Sequence, residues 1–219
     1  MLDARAERAL DELRDKSFNF DDAERASWSA ATGWHIDDYC QPLPGERPGP
    51  PEPGGPWEHA QELLRNYEFA DPRLVRATFR RDEPLEGRDM LLEARFWGLW
   101  FQFGVRVTRV TDGTREVDGR AVRVWGWRYA TLQGHLEAGE MSFEVWKWLD
   151  SGTVEFRVHV VSRPGRIRNP LIRIGFRLFA RRPQVRFAKR TCERMAGLVG
   201  GVCARTPRAP EAPGPDSEL

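Results

Sequence analysis

From Met90 to Val160 the chain alternates apolar and polar residues with a period of two, and the alternation stops only at turn residues. Met90, Leu92, Ala94 and Phe96 alternate with Glu93 and Arg95. After Gly98, Phe101, Phe103, Val105 and Val107 alternate with Gln102, Arg106 and Thr108. Val122 and Val124 take one side of the next run, with Trp125, Trp127 and Tyr129 on the other. Met141, Phe143 and Val145 alternate with Glu144, Trp146 and Trp148; Val154, Phe156, Val158 and Val160 alternate with Glu155, Arg157 and His159. Asp112-Gly113 and Asp118-Gly119 are turn signals expected to bracket a loop, and Asp150-Ser151-Gly152 is a hairpin turn. Five consecutive strands joined by short turns predict an antiparallel meander. Common sheet sizes extend this to about five to seven strands.

The period then changes. From Asn169 to about Val202 apolar residues recur at helical spacing: Leu171, Ile174 and Leu178, then Val185, Ala188, Cys192, Met195 and Val199. Asn169 and Pro170 fit the N-cap and first helical position. Pro183 is expected to kink or split the helix, and Gly200-Gly201 to stop it. A sheet with one apolar face needs a cover, and this helix is the only late element long enough. The fold class is therefore α+β, an antiparallel sheet on a long C-terminal helix. The Val154–Phe156–Val158 side of the sheet is assigned to the helix, which leaves the Trp125–Trp127–Tyr129 side for solvent or the N-terminal arm.

Ahead of the strands, Leu2 to Lys16 predicts a short amphipathic helix with Leu2, Ala6, Leu10 and Leu13 on one stripe. Phe18 and Phe20 are anchors for the extended piece that follows, and a second short helix over Asp22 to Ala31 is expected. Asp21 to Tyr39 shows no clear period. The stretch QPLPGERPGPPEPGGP holds seven prolines, Pro42 to Pro56, and reads as a linker or a surface arm. A helix follows over Trp57 to Asn66, then one or two helical turns over Pro72 to Phe79. The expected division is an arm and linker over residues 1–56, the α+β domain over 57–203, and a disordered Pro-rich tail over 204–219.

Composition narrows the class. No apolar run approaches the roughly 20 residues of a membrane span. The charged N-terminus lacks a signal core. Cys40, Cys192 and Cys203 have no paired spacing, so reduced thiols and a cytoplasmic protein are expected. The net charge of +1 hides an asymmetry, because between Arg163 and Arg194 ten arginines and one lysine face the single acid Glu193. No nucleotide-binding glycine loop, nucleophile elbow or zinc motif occurs, so neither cofactor nor metal is expected.

The sheet-then-helix order resembles the helix-grip layout of START-like (Bet v 1-like) proteins. The runs NYEFADP, PLEGRDMLLE, VWGWRYATLQGHLEAGEMSFEVWKWLD and VEFRVHVVSRP are similar to the bacterial family catalogued as domain of unknown function nineteen-ninety, over roughly Trp57 to Val199. The resemblance implies a curved sheet wrapped on the last helix and a cavity between them. It implies no catalytic residue.

Three constellations are candidates for function. His135, Glu137 and Glu140 in TLQGHLEAGE join an imidazole to two carboxylates, the makings of an acid–base pair for a cyclase or hydratase, and a weak signature for a metal. The alternative is a solvated polar connection. The aromatic positions Trp125, Trp127, Tyr129 and Trp146, with Glu144 and His159, are candidates to line a pocket for a small hydrophobic or aromatic ligand, or else a half-exposed surface under the arm. Arg182, Arg186 and Arg190 form a basic helix stripe suited to nucleic acid or an anionic membrane, or merely solvated, with Glu144 and Glu155 available to neutralise it. The favoured expectation is a ligand-binding protein, its ligand held between sheet and helix.

Overall fold

Short turns allow only antiparallel neighbours, and every adjacent pair in the sheet is antiparallel. The computed structural model describes residues 2–96, 99–165 and 181–203. Its strands are β1 (His35–Leu43), β2 (Val75–Thr78), β3 (Asp89–Phe96), β4 (Leu99–Val117), β5 (Arg120–Thr131), β6 (Glu137–Trp148) and β7 (Val154–Pro164). Their order is β1-β7-β6-β5-β4-β3-β2. The α-helices among the described residues are α1 (Ala4–Arg14), α2 (Pro56–Arg65) and α3 (Arg181–Cys203).

The meander from β3 to β7 follows the period-two runs, but four expectations need correction. The stretch read as periodless arm and linker contains β1, which pairs with β7 from His35↔Ser162 to Leu43↔Val154. As an edge strand it tolerates Pro42, whose missing N–H interrupts no central ladder. Pro72 to Phe79 holds the edge strand β2 rather than a helical turn. Asp112-Gly113 opens no loop: it lies inside the 19-residue β4, where Asp112 faces Trp125 across the ladder. A register shift between Val107 and Arg109 changes which side the later residues face, and this bulge hides the strand's continuity from a period-two reading. The turn is at Asp118-Gly119 alone, both in the left-handed region at φ 51° and 73°, as the tightest hairpins demand.

The fourth correction concerns the faces. One continuous core joins Trp125, Trp127 and Tyr129 to Phe143, Val145, Phe156 and Val158, and to Cys192, Met195 and Val199 of α3. The Val154–Phe156–Val158 side does face the helix, and the Trp125–Trp127–Tyr129 side is that same face. Antiparallel register requires it, since Trp127 stands opposite Phe143, and Phe143 opposite Val158. Trp127, Phe69, Phe143 and Phe156 are fully buried there. Each contributes about 1.5–3 kcal/mol of burial free energy.

Trp146 and Trp148 lie on the opposite, outer face with Val122 and Val124. That face is built from smaller pieces. Leu10 and Leu13 of α1 pack on Leu91 and Leu132. Phe20 and Trp34, either side of 3-10 turns over Asp22–Ser27 and Ala30–Thr32, pack on Ala130, Ala138 and Val161. Beyond them arginines supply the cover: Trp146 is sandwiched by Arg115 at 4.4 Å and Arg157 at 3.7 Å, and Trp148 lies under Arg120 at 4.4 Å.

In α3, Ala188, Cys192, Met195 and Val199 are buried as the spacing predicts, and Arg182, Arg186 and Arg190 are exposed. The helix runs unbroken from Arg181 past Pro183, and on through Gly200 and Gly201 to Cys203. The expected N-cap Asn169, with Pro170, Leu171, Ile174 and Leu178, and the tail from residue 204 lie outside the described residues. Cys40 and Cys192 are free thiols.

The proline-rich stretch is locked to the sheet. Lys147 projects from β6 into the inner face and ion-pairs with Glu46 at 2.5 Å, both side chains wholly shielded from solvent. Lys147 also donates to the Pro50 carbonyl at 2.8 Å. The two Glu46 oxygens accept from the backbone N–H groups of Trp57, at 2.8 Å, and Glu52, at 2.9 Å. One carboxylate thus satisfies a first-turn donor of α2, the arm and a buried ammonium, and sets where α2 begins. Removing one partner strands the other charge. We expect Lys147→Met to cost about 3–5 kcal/mol in urea denaturation, and Glu46→Gln in that background to restore much of the loss. A Lys147→Met protein within about 1 kcal/mol of wild type would contradict the lock.

Candidate functional site

The inner face is not covered evenly. α2 and the Cys192–Val199 part of α3 fill the end that carries Trp57 and Trp127. Towards the β5–β6 loop the cover thins, and a cavity of about 420 Å³ opens between the sheet and the first turns of α3. Leu92, Phe103, Tyr129, Met141, Val160 and Phe187 give it apolar walls. Its polar border includes Tyr67, Thr131, His135, Glu137, Ser162 and Gln184, with Arg95, Glu140, Arg182 and Arg186 at its margin.

Tyr67 is placed by the end of α2. Asn66 caps the helix, and Tyr67 follows in the left-handed region at φ 59°, a position usually given to glycine. For an aromatic residue this conformation costs of order 1 kcal/mol or more. It turns the ring onto Phe69, centroids 4.9 Å apart, and towards Trp127 at 6.0 Å. The hydroxyl is buried with no hydrogen-bond partner among the described residues, and burial holds its pKa well above the ordinary phenol range. Tyr129 lies beside it on β5. Its hydroxyl contacts only the Met141 thioether, at 3.5 Å, a weak acceptor, and its pKa is likewise raised, first by burial.

His135 sits in the β5–β6 loop, its ring 4.7 Å from that of Phe103. The Glu137 backbone N–H donates to its Nδ1 at 2.9 Å, so the neutral ring carries its proton on Nε2. Burial pushes its pKa down to about 4. Early in β6, Gly139 is held at φ 147° with the Val161 carbonyl so close that a Cβ would meet it at 1.9 Å. From the inner side of β6, Glu137 reaches Gln184 Nε2 at 3.5 Å, and the same nitrogen donates to Ser162 at 2.8 Å.

The three candidate constellations are therefore redistributed. His135, Glu137 and Glu140 all border the cavity, but the Glu140 carboxylate turns away from the other two. Its carboxylate lies on the outer face, against Arg25 at 2.5 Å and Arg128 at 3.5 Å, because residue 140 has the opposite parity to 137 on the same strand. The trio therefore cannot converge on one metal or one substrate. Of the aromatic set, only Tyr129 borders the cavity. Trp125 and Trp127 are packed beneath α2, Trp125 under Arg65 at 5.0 Å and Trp127 donating to the Leu64 carbonyl at 3.2 Å.

Glu144, Trp146 and His159 are outer-face residues. Glu144 accepts from Trp146 Nε1 at 2.7 Å and Arg115 at 3.0 Å, while His159 contacts Asp38 at 2.7 Å. Glu155 pairs with Arg157 at 2.7 Å, so neither strand acid neutralises the helix. Arg182 and Arg186 border the cavity's helix side, but at 3.6 residues per turn they lie roughly opposite the inward stripe of Gln184, Ala188 and Cys192. Arg190 pairs with Glu193 at 3.1 Å. Sequence reasoning missed Tyr67, Ser162 and Gln184, since a left-handed backbone and a parity between two elements leave no mark in composition.

A sequence profile of the family described as Domain of unknown function (DUF1990) matches residues 21–186. The chain belongs to this family. The DUF1990 match takes in β1, the proline-rich arm and the whole sheet, and ends in the first turns of α3. Among solved structures, this DUF1990 protein is similar to TTHA0849 from Thermus thermophilus, at 10% identity and TM-score 0.47, over 77% of this chain and 98% of that one. It is similar to a START superfamily protein from Mycobacterium smegmatis, at 11% and 0.43, over 77% and 99%. It is also similar to the Zhui aromatase/cyclase from Streptomyces sp. R1128, at 17% and 0.44, over 80% and 98%. No curated protein matches it. No helix among the described residues is long and apolar enough to cross a membrane.

The environment of His135 has a pH signature. Its folded pKa of about 4 lies below the ordinary 6.5, so between these values the unfolded chain binds the extra proton. The contribution is whole above about pH 6.5, falls as the pH drops, and is flat below about 4. Unfolding free energies of wild type and His135→Gln should therefore converge on acidification through this window. Parallel profiles, or an imidazole that titrates near 6.5 by NMR, would contradict the burial.

Proposed function

We propose that the protein binds a small, largely apolar ligand, aromatic or aliphatic, in the cavity between the sheet and α3. The carrying observation is the cavity itself: about 420 Å³ with mainly apolar walls and a few polar groups on its border. Ligand pockets typically enclose about 300–1,000 Å³ with this mix of linings. The unpartnered Tyr67 hydroxyl and the strained backbone that holds it support the reading, because a buried donor with no partner costs about 1–3 kcal/mol in the empty protein.

Acid–base catalysis draws less support. Glu140 is on the other face, and the Nδ1 of His135 is already occupied, with a pKa too low for a general base near neutrality. A role for Arg182, Arg186 and Arg190 on nucleic acid or an anionic membrane rests on exposed charge alone, and solvated helix stripes are the common use of such residues.

The neutral fluorophore N-phenyl-1-naphthylamine is expected to bind with 1:1 stoichiometry and a blue-shifted emission. Ala94→Phe, which adds a ring at a buried position on the cavity border, should weaken binding by about tenfold or more with the fold intact by circular dichroism. Equal binding by wild type and Ala94→Phe, or none by either, would overturn the reading.

A further inference from the structure

We propose that Tyr67 and Tyr129 form a paired-donor site for a carbonyl oxygen, so that the ligand is a small apolar ketone or related carbonyl compound; this rests on the ligand-binding reading above. The two residues come from different elements, Tyr67 from the turn after α2 and Tyr129 from the middle of the sheet, and both border the same space. Tyr67 is 7% exposed and Tyr129 also 7%; among the described residues the Tyr67 hydroxyl has no partner and the Tyr129 hydroxyl has only a sulfur, at 3.5 Å. A phenol is both donor and acceptor, yet no described N–H or O–H points at either oxygen. Each therefore has a proton to give.

The partner must bring acceptor lone pairs into an apolar enclosure. A carbonyl oxygen brings two and accepts from both hydroxyls at once. A carboxylate would need a cation to offset its desolvation. Among the described residues, the cations that border the cavity do not supply one from within. Arg182 and Arg186 lie on the far stripe of α3, and Arg95 has the outward parity on β3, next to the inward Ala94. A hydrocarbon would leave both donors unsatisfied. Water is the remaining occupant, and a ligand oxygen that displaces it must reproduce its hydrogen bonds.

The test compares 2-acetylnaphthalene with 2-ethylnaphthalene, which differ in one carbonyl oxygen. Calorimetry is expected to show the ketone binding about tenfold more tightly, the worth of one good buried hydrogen bond or two weaker ones. The bound ketone's C=O stretch should move to lower frequency, a signature that mere packing would not give. In Tyr67→Phe, which leaves the ring and its contacts in place, the affinity gap should fall to about threefold or less and the stretch should return part-way; Tyr129→Phe should do the same. Because Tyr67→Phe removes an unpartnered buried hydroxyl, its apo form should be at least as stable as wild type.

Equal affinities for the two naphthalenes, or a stretch unaltered by both substitutions, would overturn the carbonyl site and leave the ligand-binding reading standing. Failure of both compounds to bind would overturn both.

Discussion

The structure depends on how one broad apolar sheet face is covered. Seven strands present more inner surface than a single helix spans, so the cover is shared between α2 and α3. The position of α2 is set by a buried ion pair, because Glu46 joins Lys147 of the sheet to the N–H of Trp57 at the start of that helix. With α2 held over Trp125 and Trp127, that end of the face packs solidly. α3 then crosses towards β1 and β7, and among the described residues the β5–β6 end is left with space rather than side chains. The cavity is thus a consequence of where two covers stop, and its polar border is the set of residues at their edges.

That origin explains the chemistry of the border. Tyr67 directly follows the Asn66 cap of α2, turned inward by a left-handed backbone. His135 belongs to the β5–β6 loop, Glu137 to the first position of β6, and Gln184 to the first turns of α3. None is in bulk solvent: Tyr67 is buried at the edge of the core beside Phe69, and His135, Glu137 and Gln184 are half-buried. Groups so placed are shielded enough to have perturbed acidities, as Tyr67 and His135 do in opposite senses: burial keeps the phenol protonated and the imidazole neutral. Both are left as donors, Tyr67 through its hydroxyl and His135 through Nε2–H.

Much of this was legible in the sequence. The runs from Met90 to Val160 and the Ala188–Cys192–Met195–Val199 spacing gave the sheet and its helix, because period two and period 3.6 each record one buried face. What stayed hidden depends on contacts between distant segments. β1 is an edge strand whose residues alternate only between exposed and half-buried, with Leu43 alone buried, so its apolar signal is weak. Lys147 reads as an ordinary strand charge until Glu46 is placed over it. The tryptophans misled because the outer face is also closed, by arginines stacked on Trp146 and Trp148, so both faces of β6 look apolar. At the site, His135 and Glu137 stood out in a Gly-punctuated loop, whereas Tyr67 resembled any core aromatic.

The most direct measurement is the location of a bound carbonyl compound. In crystals soaked with 6-bromo-2-acetylnaphthalene, bromine's anomalous signal would mark the ring and difference density the oxygen. The account predicts the ring among Leu92, Phe103, Met141 and Val160, with its oxygen within hydrogen-bond distance of the Tyr67 and Tyr129 hydroxyls. A bromine on the outer face against the Trp146–Arg157 stack, with the cavity unchanged, would contradict it.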